Sequence, residues 1–345
     1  MNAGISLCCR DKVWYKGINR NEKRVEKMKF EIIGAGALGL LYGSKLAASG
    51  QEVRFWTKTA EQAELLVWKG IALQEGEEGA PVVIAGPAAY PLQEAATLPQ
   101  TDRHADWVLL ATKQRHIDSV LISTLQPLLG PETHILCFQN GIGHLEYLSE
   151  VFPGTPIYAA ITTEGAKRPS SRHVIRSGQG TTTIGMAEQR GESADLYSKN
   201  AVEKLIGALD MAGFYALLSK HIDREIYRKL LINAVINPLT AIWRIPNGEL
   251  LDSEERRALL RQLCNEAAAV YAALGIPFEG DAYDVVAEVC RLTASNTSSM
   301  LKDILQGTPT EIDYINGRLV EMANLAGASA SGHEMVWRLV RGLQK

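Results

Sequence analysis

A glycine-rich segment, Gly34-Ala35-Gly36-Ala37-Leu38-Gly39, constrains the fold more than any other feature of this chain. The apolar run 30–33 predicts a buried strand before it, and residues 40–48 predict a helix after it. Between a strand and a helix, the three glycines permit a tight turn, close approach of a pyrophosphate and close helix packing. The helix N-terminus then offers free N–H groups to phosphate. The segment therefore predicts a dinucleotide-binding α/β domain, the alternative being a glycine turn without a ligand.

Length and composition limit the possible classes of protein. The chain has 345 residues, 46% of them hydrophobic, which suits two domains that each bury a core. The net charge of −3 favours neither nucleic acid nor an anionic membrane as a partner, and no apolar run approaches the ~18 residues of a membrane span. The five cysteines form no Cys-x-x-Cys pair and the seven histidines show no ligand spacing. We therefore expect a reducing, cytoplasmic setting and no metal.

Residues 1–27 form a polar, basic extension without the apolar segment of a secretory signal. We expect a disordered appendage, or sequence upstream of a natural start at Met28. A basic arm that binds a partner is the alternative.

The residues after the second predicted strand, 52–56, indicate which nicotinamide cofactor is bound. An Asp or Glu there would bond the ribose 2′-hydroxyl of NAD, whereas a cation accommodates the 2′-phosphate of NADP. The segment is Thr57-Lys58-Thr59, with no carboxylate before Glu61. Lys58 therefore predicts NADP, unless it is an ordinary surface lysine.

Two further predicted strands end in polar residues. Residues 106–111 lead to Lys113, and residues 135–138 lead to Asn140. Ligands of doubly wound folds bind at the carboxyl ends of the strands. Asn140 is suited to donate to a nicotinamide ribose or a substrate oxygen, although Asn-Gly is also a plain turn signal.

The remaining pattern is less regular. Residues 71–100 are rich in loop-forming residues, with one strand predicted at 81–85, and a helix is predicted at 117–129. From Asp223 onward helical periodicity dominates, so we place a domain boundary near Ser219. Helices are also expected at 60–70 and 195–212, and strands at 157–163, 181–185 and 214–218.

A polar stripe marks the first helix of the second domain. Lys229, Asn233 and Asn237 are spaced four apart, so they share one face of an otherwise apolar helix. If the stripe is buried, each unsatisfied polar group costs on the order of 1–3 kcal/mol. A desolvated lysine has a lowered pKa, which suits proton transfer. A stripe that bonds neighbouring helices, or that faces solvent, is the alternative.

Glu311 lies at the start of a later predicted helix. Thr308 or Thr310 can cap that helix, and its dipole stabilises a carboxylate in the first turn. Both a capping role and a site role for Glu311 stay open.

Together, these motifs resemble those of the ketopantoate reductases (2-dehydropantoate 2-reductases), over residues 28 to about 340. Several motifs in one order are more specific than any one of them. They are the glycine turn, Lys113, Gln139-Asn140-Gly-Ile-Gly143, Lys229-x3-Asn233-x3-Asn237-Pro238, Pro246-Asn247-Gly248-Glu249-Leu250, Ser298-Ser299-Met300-Leu-x-Asp303 and Thr310-Glu311-Ile-Asp-Tyr-Ile-Asn-Gly317.

The resemblance implies a Rossmann-type domain, 28–218, followed by an all-α domain of the 6-phosphogluconate-dehydrogenase type, 219–345, with the active site in the cleft. It implies NADPH as cofactor and pantoate as product, on the pathway to pantothenate and coenzyme A. It also implies Lys229 as general acid and Glu311 as a second active-site carboxylate. The implied substrate-binding residues are Asn140, Asn233, Asn237, Asn247 and Ser299. The implied cofactor-binding residues are Gly34, Ala35, Gly36, Ala37, Leu38, Gly39, Lys58, Lys113, Asn140 and Glu311.

The chain departs from the family pattern at two positions. Lys58 stands where many members have Arg, which keeps the charge but loses the bidentate fork. Arg176 stands near a position often occupied by His. Two alternatives stay open: a related reductase of another 2-oxo acid, and a regulator that binds NADP without turnover. A monomer and a homodimer are both compatible with the sequence.

Overall fold

The computed structural model describes residues 27–97, 104–186 and 196–344, so the expectations for residues 1–26 lie outside it. An α/β part precedes a part that is helical throughout its described residues. No helix within these ranges is long and apolar enough to cross a membrane. The strands are β1 (Lys29–Ile33), β2 (Glu52–Thr57), β3 (Ile71–Glu75), β4 (Val82–Ile84), β5 (Ala88–Pro91), β6 (Trp107–Leu110), β7 (His134–Cys137), β8 (Ile157–Thr162), β9 (Gly165–Ser170), β10 (His173–Gly178), β11 (Thr181–Met186) and β12 (Tyr215–Leu218). The helices are α1 (Ala37–Ala48), α2 (Ala60–Lys69), α3 (Ser119–Leu125), α4 (His144–Val151), α5 (Leu196–Met211), α6 (Ile222–Trp243), α7 (Glu254–Ala273), α8 (Ala282–Leu292), α9 (Ser299–Leu305), α10 (Arg318–Ala326) and α11 (Ser331–Leu343).

The larger sheet has eight strands in the order β12-β11-β8-β7-β6-β1-β2-β5. Each neighbouring pair from β5 to β8 is parallel, whereas β11 runs antiparallel to β8. The chain reverses its direction of growth at β1 and β6, and this switch point is where doubly wound folds bind ligands. The predicted dinucleotide-binding architecture is confirmed, and its ligand edge lies at the carboxyl ends of β1, β6 and β7.

The prediction of a single strand within residues 71–100 was wrong, because the structure has three strands within 71–97, the part of this segment that it describes. β5 extends the large sheet beside β2, and β3 and β4 join a second sheet in the order β4-β3-β10-β9. The strand predicted at 81–85 is β4, whereas β3 and β5 were not predicted. β5 is only four residues long, with one exposed, one buried and two partly buried residues, so no regular apolar alternation marks it. Strands of this kind form because they pair with strands distant in the sequence, and their local propensity alone does not predict them.

The helix predicted at 117–129 is shorter in the structure. α3 begins after Asp118, whose carboxylate accepts a hydrogen bond from the Leu121 backbone N–H at 2.9 Å. It ends at Leu125, and a 3-10 turn over 126–128 contains Pro127. Proline has no N–H to continue the helical ladder, which accounts for the early end.

α6 is the central helix of the second part and runs through Pro238. Because proline lacks an N–H, the carbonyl of Ala234 loses its helical partner. Nδ2 of Asn316 donates to that carbonyl at 2.8 Å, so the helix continues without leaving the Ala234 carbonyl unpaired. Asn316 lies in a π-helical turn, Asp313–Gly317, just after Glu311.

Candidate active site

The glycine turn lies at the carboxyl end of β1. Gly34 has a φ of 97°, a conformation that side chains rarely adopt. A Cβ at Gly39 would lie 1.9 Å from the carbonyl oxygen of Gly34, so only glycine lets α1 pack this closely. A Cβ at Gly36 would meet no atom nearer than the Ala111 oxygen at 3.9 Å. The turn therefore faces open space at its second glycine.

α1 begins at this open space with no side chain to cap it. Its N-cap is Gly36, so the N–H groups of the first turn, from Ala37 to Gly39, have no side-chain acceptor. Such N–H groups, together with the helix dipole, bind anions. Nε2 of Gln62 donates to the Ala35 carbonyl at 3.0 Å and holds the turn in place. The backbone of this segment fits the pyrophosphate of a dinucleotide.

Gln139 ties the ends of β6 and β7 together. Its Nε2 donates to the carbonyls of Leu110 at 3.0 Å and Thr112 at 2.9 Å. Oε1 of Gln139 and Oγ1 of Thr112 are buried and have no hydrogen-bond partner among the described residues. Buried unpaired acceptors are uncommon, and two of them beside the glycine turn fit a ligand that brings donors.

The two lysines predicted to contact the cofactor have different surroundings. Lys58 is exposed and directly follows β2. The pKa of His116 is lowered by burial, by the Arg115 guanidinium and by the Lys58 ammonium. Lys58 therefore lies near His116, in the segment that follows β6. Nζ of Lys113 is 2.5 Å from Oδ1 of Asp303 on α9 and donates to the Pro309 carbonyl at 3.3 Å. Lys113 thus joins the sheet edge to the helical part.

Glu311 crosses from the helical part to the sheet edge. Nδ2 of Asn140 donates to its Oε2 at 3.1 Å, and the backbone N–H of Gln114 lies 3.4 Å from its Oε1. The carboxylate is buried, with 9% of the residue exposed. A capping role alone does not explain these two contacts, because both come from the other part of the molecule.

Lys229 lies half-buried on α6 and faces the sheet. Its Nζ donates to the carbonyl of Thr162, the last residue of β8, at 3.3 Å. Burial lowers the pKa of Lys229 to about 8, and the nearby Glu311 carboxylate partly opposes that shift. The group thus holds a proton at neutral pH and releases it more readily than an ordinary lysine.

The two carboxamides of the stripe carry free hydrogen-bonding capacity. Neither Asn233 nor Asn237 makes a side-chain hydrogen bond to the described residues, although Asn237 is buried. A stripe that served to bond neighbouring helices would have satisfied these amides. Unpaired carboxamides on the face that carries Lys229 are consistent with a site for a polar ligand.

Asn247 and Ser299 are placed differently from each other. Nδ2 of Asn247 donates to Oγ1 of Thr293 at 2.9 Å, while its Oδ1 is buried without a partner among the described residues. Ser299 is exposed at the start of α9. The helix cap is its neighbour Ser298, which accepts from the Leu301 N–H at 3.1 Å. Ser299 is therefore free of the capping task.

The structure brings Lys229, Glu311 and Asn140 together, although they lie on three separate elements. Sequence reasoning missed two groups that hold them: the Gln114 N–H and the Thr162 carbonyl. Both are backbone groups, so no residue type marks them.

The family comparison covers most of the chain. Residues 30–189 match the model described as ketopantoate reductase PanE/ApbA, and residues 221–344 match its C-terminal model. A 2-dehydropantoate 2-reductase of Vibrio cholerae is 30% identical over 92% of this chain and 98% of its own length. One from Listeria innocua is 34% identical over 91% of this chain and 96% of its own length.

Solved structures show the same fold. D-mandelate dehydrogenase, solved with NADH and anilino(oxo)acetate, superposes with a TM-score of 0.81 at 27% identity, over 92% of this chain and 98% of that chain. A probable 2-dehydropantoate 2-reductase from Bacillus subtilis superposes with a TM-score of 0.74 at 30% identity, over 92% of this chain and 100% of that chain.

Proposed function

The chain belongs to the ketopantoate reductase family, and from this we propose that it reduces 2-dehydropantoate to (R)-pantoate with NADPH, a step of pantothenate and coenzyme A biosynthesis. The observation that carries the proposal is the meeting of Lys229, Glu311 and Asn140 at the ligand edge of the sheet.

Lys229 is the general acid of the proposed reaction. Bound NADPH supplies the hydride that is added to the C2 carbonyl, and negative charge develops on the carbonyl oxygen. The Lys229 ammonium stabilises that charge and donates the proton. Its pKa of about 8 is close to physiological pH, where proton transfer is efficient.

The carboxamides hold the substrate. Asn233 and Asn237 lie one and two helical turns from Lys229, and their unpaired donors suit the carboxylate and hydroxyl of a 2-oxo acid. Asn140, Asn247 and Ser299 complete the proposed substrate-binding residues.

The cofactor is held from the sheet side. Gly34, Ala35, Gly36, Ala37, Leu38 and Gly39 form the pyrophosphate site, and Lys58 lies at the ribose 2′-phosphate. Lys113, Asn140 and Glu311 lie at the junction with the substrate.

A substrate panel tests the proposal. The purified protein is assayed for oxidation of NADPH and NADH with 2-dehydropantoate, 2-oxoisovalerate and 2-oxo-2-phenylacetate. We expect the highest kcat/KM with NADPH and 2-dehydropantoate. A higher value with another 2-oxo acid would overturn the substrate assignment.

A second candidate follows from the likeness to D-mandelate dehydrogenase. That neighbour acts on mandelate and was solved with NADH, so a related reductase of an aryl 2-oxo acid fits the same fold. Preference for 2-oxo-2-phenylacetate in the panel would favour it. Binding of NADPH with no oxidation by any panel member would favour a non-catalytic regulator.

Lys58 sets the preference for NADPH in this proposal. Lys58→Glu places a carboxylate at the 2′-phosphate, so we expect the ratio of kcat/KM for NADPH over NADH to fall at least tenfold. Lys69→Glu makes the same charge change at the exposed far end of α2 and is the control. An unchanged ratio in Lys58→Glu would show that Lys58 does not select the cofactor.

The setting and organisation of the enzyme belong to the same proposal. We place it in the cytoplasm, where the thiols of Cys137, Cys264 and Cys290, free in the structure, stay reduced. The domain division at 218/219 is supported by the end of β12 at Leu218 and the start of α6 at Ile222. The active form is a monomer or a homodimer, which light scattering distinguishes.

A further inference from the structure

Three hydroxyl groups form a closed cluster behind the backbone carbonyl that accepts from Lys229. The Tyr42 hydroxyl lies 2.6 Å from Oγ1 of Thr182 and 3.0 Å from Oγ1 of Thr162, and the two threonine oxygens are 3.1 Å apart. We call Tyr42, Thr162 and Thr182 the hydroxyl triangle. Its members are 1%, 8% and 0% exposed, so bulk water does not supply alternative partners.

The hydroxyl triangle is internally complete. Each hydroxyl has one proton, so three donors serve three contacts when each group donates to the next. The oxygens have further lone pairs, and Oγ1 of Thr162 also accepts from the Glu164 backbone N–H at 3.1 Å. A ring of this kind holds each hydroxyl in one rotamer.

The contact from the Glu164 N–H connects the hydroxyl triangle to the carbonyl of Thr162. A threonine hydroxyl that accepts from the N–H two residues later forms a local turn. That turn fixes the peptide between Thr162 and Thr163, and the oxygen of this peptide is the acceptor for Lys229 Nζ at 3.3 Å. The direction of the acceptor therefore depends on the Thr162 side chain.

The hydroxyl triangle also joins two elements whose relative position matters for the proposed reaction. Tyr42 lies on α1, the helix that begins at the glycine turn, and its ring stacks on Phe214 with centroids 4.1 Å apart. Thr162 ends β8, and Thr182 is its partner on β11. The nucleotide-binding helix and the acceptor for Lys229 are thus held to one another through side-chain hydroxyls.

We infer that the hydroxyl triangle is a positioning device for the general acid, which aims the Thr162 carbonyl at Lys229 and thereby holds the ammonium over the cofactor edge. Thr162 and Tyr42 are positioning residues, since they act through Lys229. The inference rests on the proposed role of Lys229.

The test measures kcat/KM as a function of pH, because a purely structural role of these hydroxyls would not shift that profile. Lys229 faces the carboxylate of Glu311, and the hydroxyl triangle faces the ion pair of Glu164 with Arg176. Burial raises the pKa of Tyr42 to about 12, so Tyr42 itself does not titrate in the range measured. Loss of a well-aimed acceptor destabilises the ammonium form, so the alkaline fall in kcat/KM moves to lower pH.

The variants are Thr162→Val and Tyr42→Phe, with Thr133→Val as the matched control. Thr133 is a buried threonine whose Oγ1 donates to the Ala105 carbonyl at 2.6 Å, at the opposite edge of the sheet. We expect both triangle variants to lose about tenfold in kcat/KM and to shift the alkaline limb down by about 0.5 pH unit. We expect Thr133→Val to do neither, and Thr162→Ser, which keeps the hydroxyl, to restore both.

Three outcomes decide the matter. If the alkaline limbs of Thr162→Val and Tyr42→Phe stay at the wild-type pH, the inference is overturned, whatever their activity. If Thr162→Val does not fold, the shifts in Tyr42→Phe and the recovery in Thr162→Ser decide in the same way. If Lys229→Ala itself retains wild-type turnover, the proposed function of Lys229 fails, and the inference fails with it for that separate reason.

Discussion

At the scale of single residues, the Glu311 carboxylate influences the pKa of Lys229. Burial lowers the pKa of Lys229 to about 8, and the Glu311 carboxylate raises it, so removal of that carboxylate lowers it further. In the proposed reaction the acid form of Lys229 is the active one, so we expect activity to be lost as the pH rises through the pKa of Lys229. In Glu311→Gln, we therefore expect the alkaline limb of kcat to lie at lower pH than in the wild type.

The profile of kcat against pH under saturating NADPH and 2-dehydropantoate measures this effect. Glu321→Gln neutralises an exposed carboxylate on α10 and serves as the control, since it should leave the limb in place. If the alkaline limb of the kcat profile in Glu311→Gln stays at the wild-type pH or moves to higher pH, the electrostatic coupling of Glu311 with Lys229 is contradicted.

How far the sequence predicts the site differs among these residues. The four-residue spacing of Lys229, Asn233 and Asn237 gives a shared helical face, because the helix period is local information. The acceptor for Lys229 is the Thr162 carbonyl, and a backbone group carries no residue identity. The contact of Glu311 with Asn140 joins positions 171 residues apart, which no local pattern encodes.

At the scale of one element, α6 depends on a side chain from outside the helix. Asn316 supplies, to the Ala234 carbonyl, the N–H that Pro238 lacks. Its Nδ2 also lies 3.1 Å from Nδ1 of His333, whose Nε2 is 2.9 Å from the Leu263 carbonyl. A carbonyl only accepts, so Nε2 of His333 bears the proton and Nδ1 accepts from Asn316.

A double-mutant cycle tests this compensation. Asn316→Ala leaves the Ala234 carbonyl buried and unpaired, so we expect a loss of about 1–3 kcal/mol in the free energy of unfolding by urea. In a Pro238→Ala background the new backbone N–H of residue 238 can donate to that carbonyl. Asn316→Ala should therefore lower the free energy of unfolding by less in that background. An equal loss of unfolding free energy on Asn316→Ala in both backgrounds would refute the idea that Asn316 compensates for Pro238.

The strands show why some elements are predictable and others are not. β1, β6 and β7 are short, buried and largely apolar runs, and the sequence predicts them. The glycine turn follows β1, and polar residues follow β6 and β7. β5 is a four-residue edge strand with one exposed, one buried and two partly buried residues, and it exists because β2 offers a free edge beside it. Its formation depends on the assembled sheet, which local sequence does not describe.

At the scale of the whole molecule, polar contacts across the cleft hold the two parts together. Glu311 meets Asn140, Lys113 meets Asp303 at 2.5 Å, and Arg115 Nη1 donates to the Pro309 carbonyl at 2.6 Å. The sheet side of this cleft carries the glycine turn and the helical side carries Lys229. In the proposed reaction each part therefore contributes one component: the sheet side holds the cofactor, and the helical part supplies the ammonium of Lys229 for proton transfer.

The turnover of Lys229→Ala with NADPH and 2-dehydropantoate tests that claim most directly. Lys45→Ala is the matched control, since Lys45 is also partly buried and pairs with Glu75 at 2.5 Å, in the last turn of α1 and so at the other end of that helix from the glycine turn. We predict that kcat falls by about 10²–10⁴-fold in Lys229→Ala, while NADPH binding, followed by fluorescence, and the activity of Lys45→Ala stay close to wild type. A Lys229→Ala variant that turns over at the wild-type rate would contradict the account.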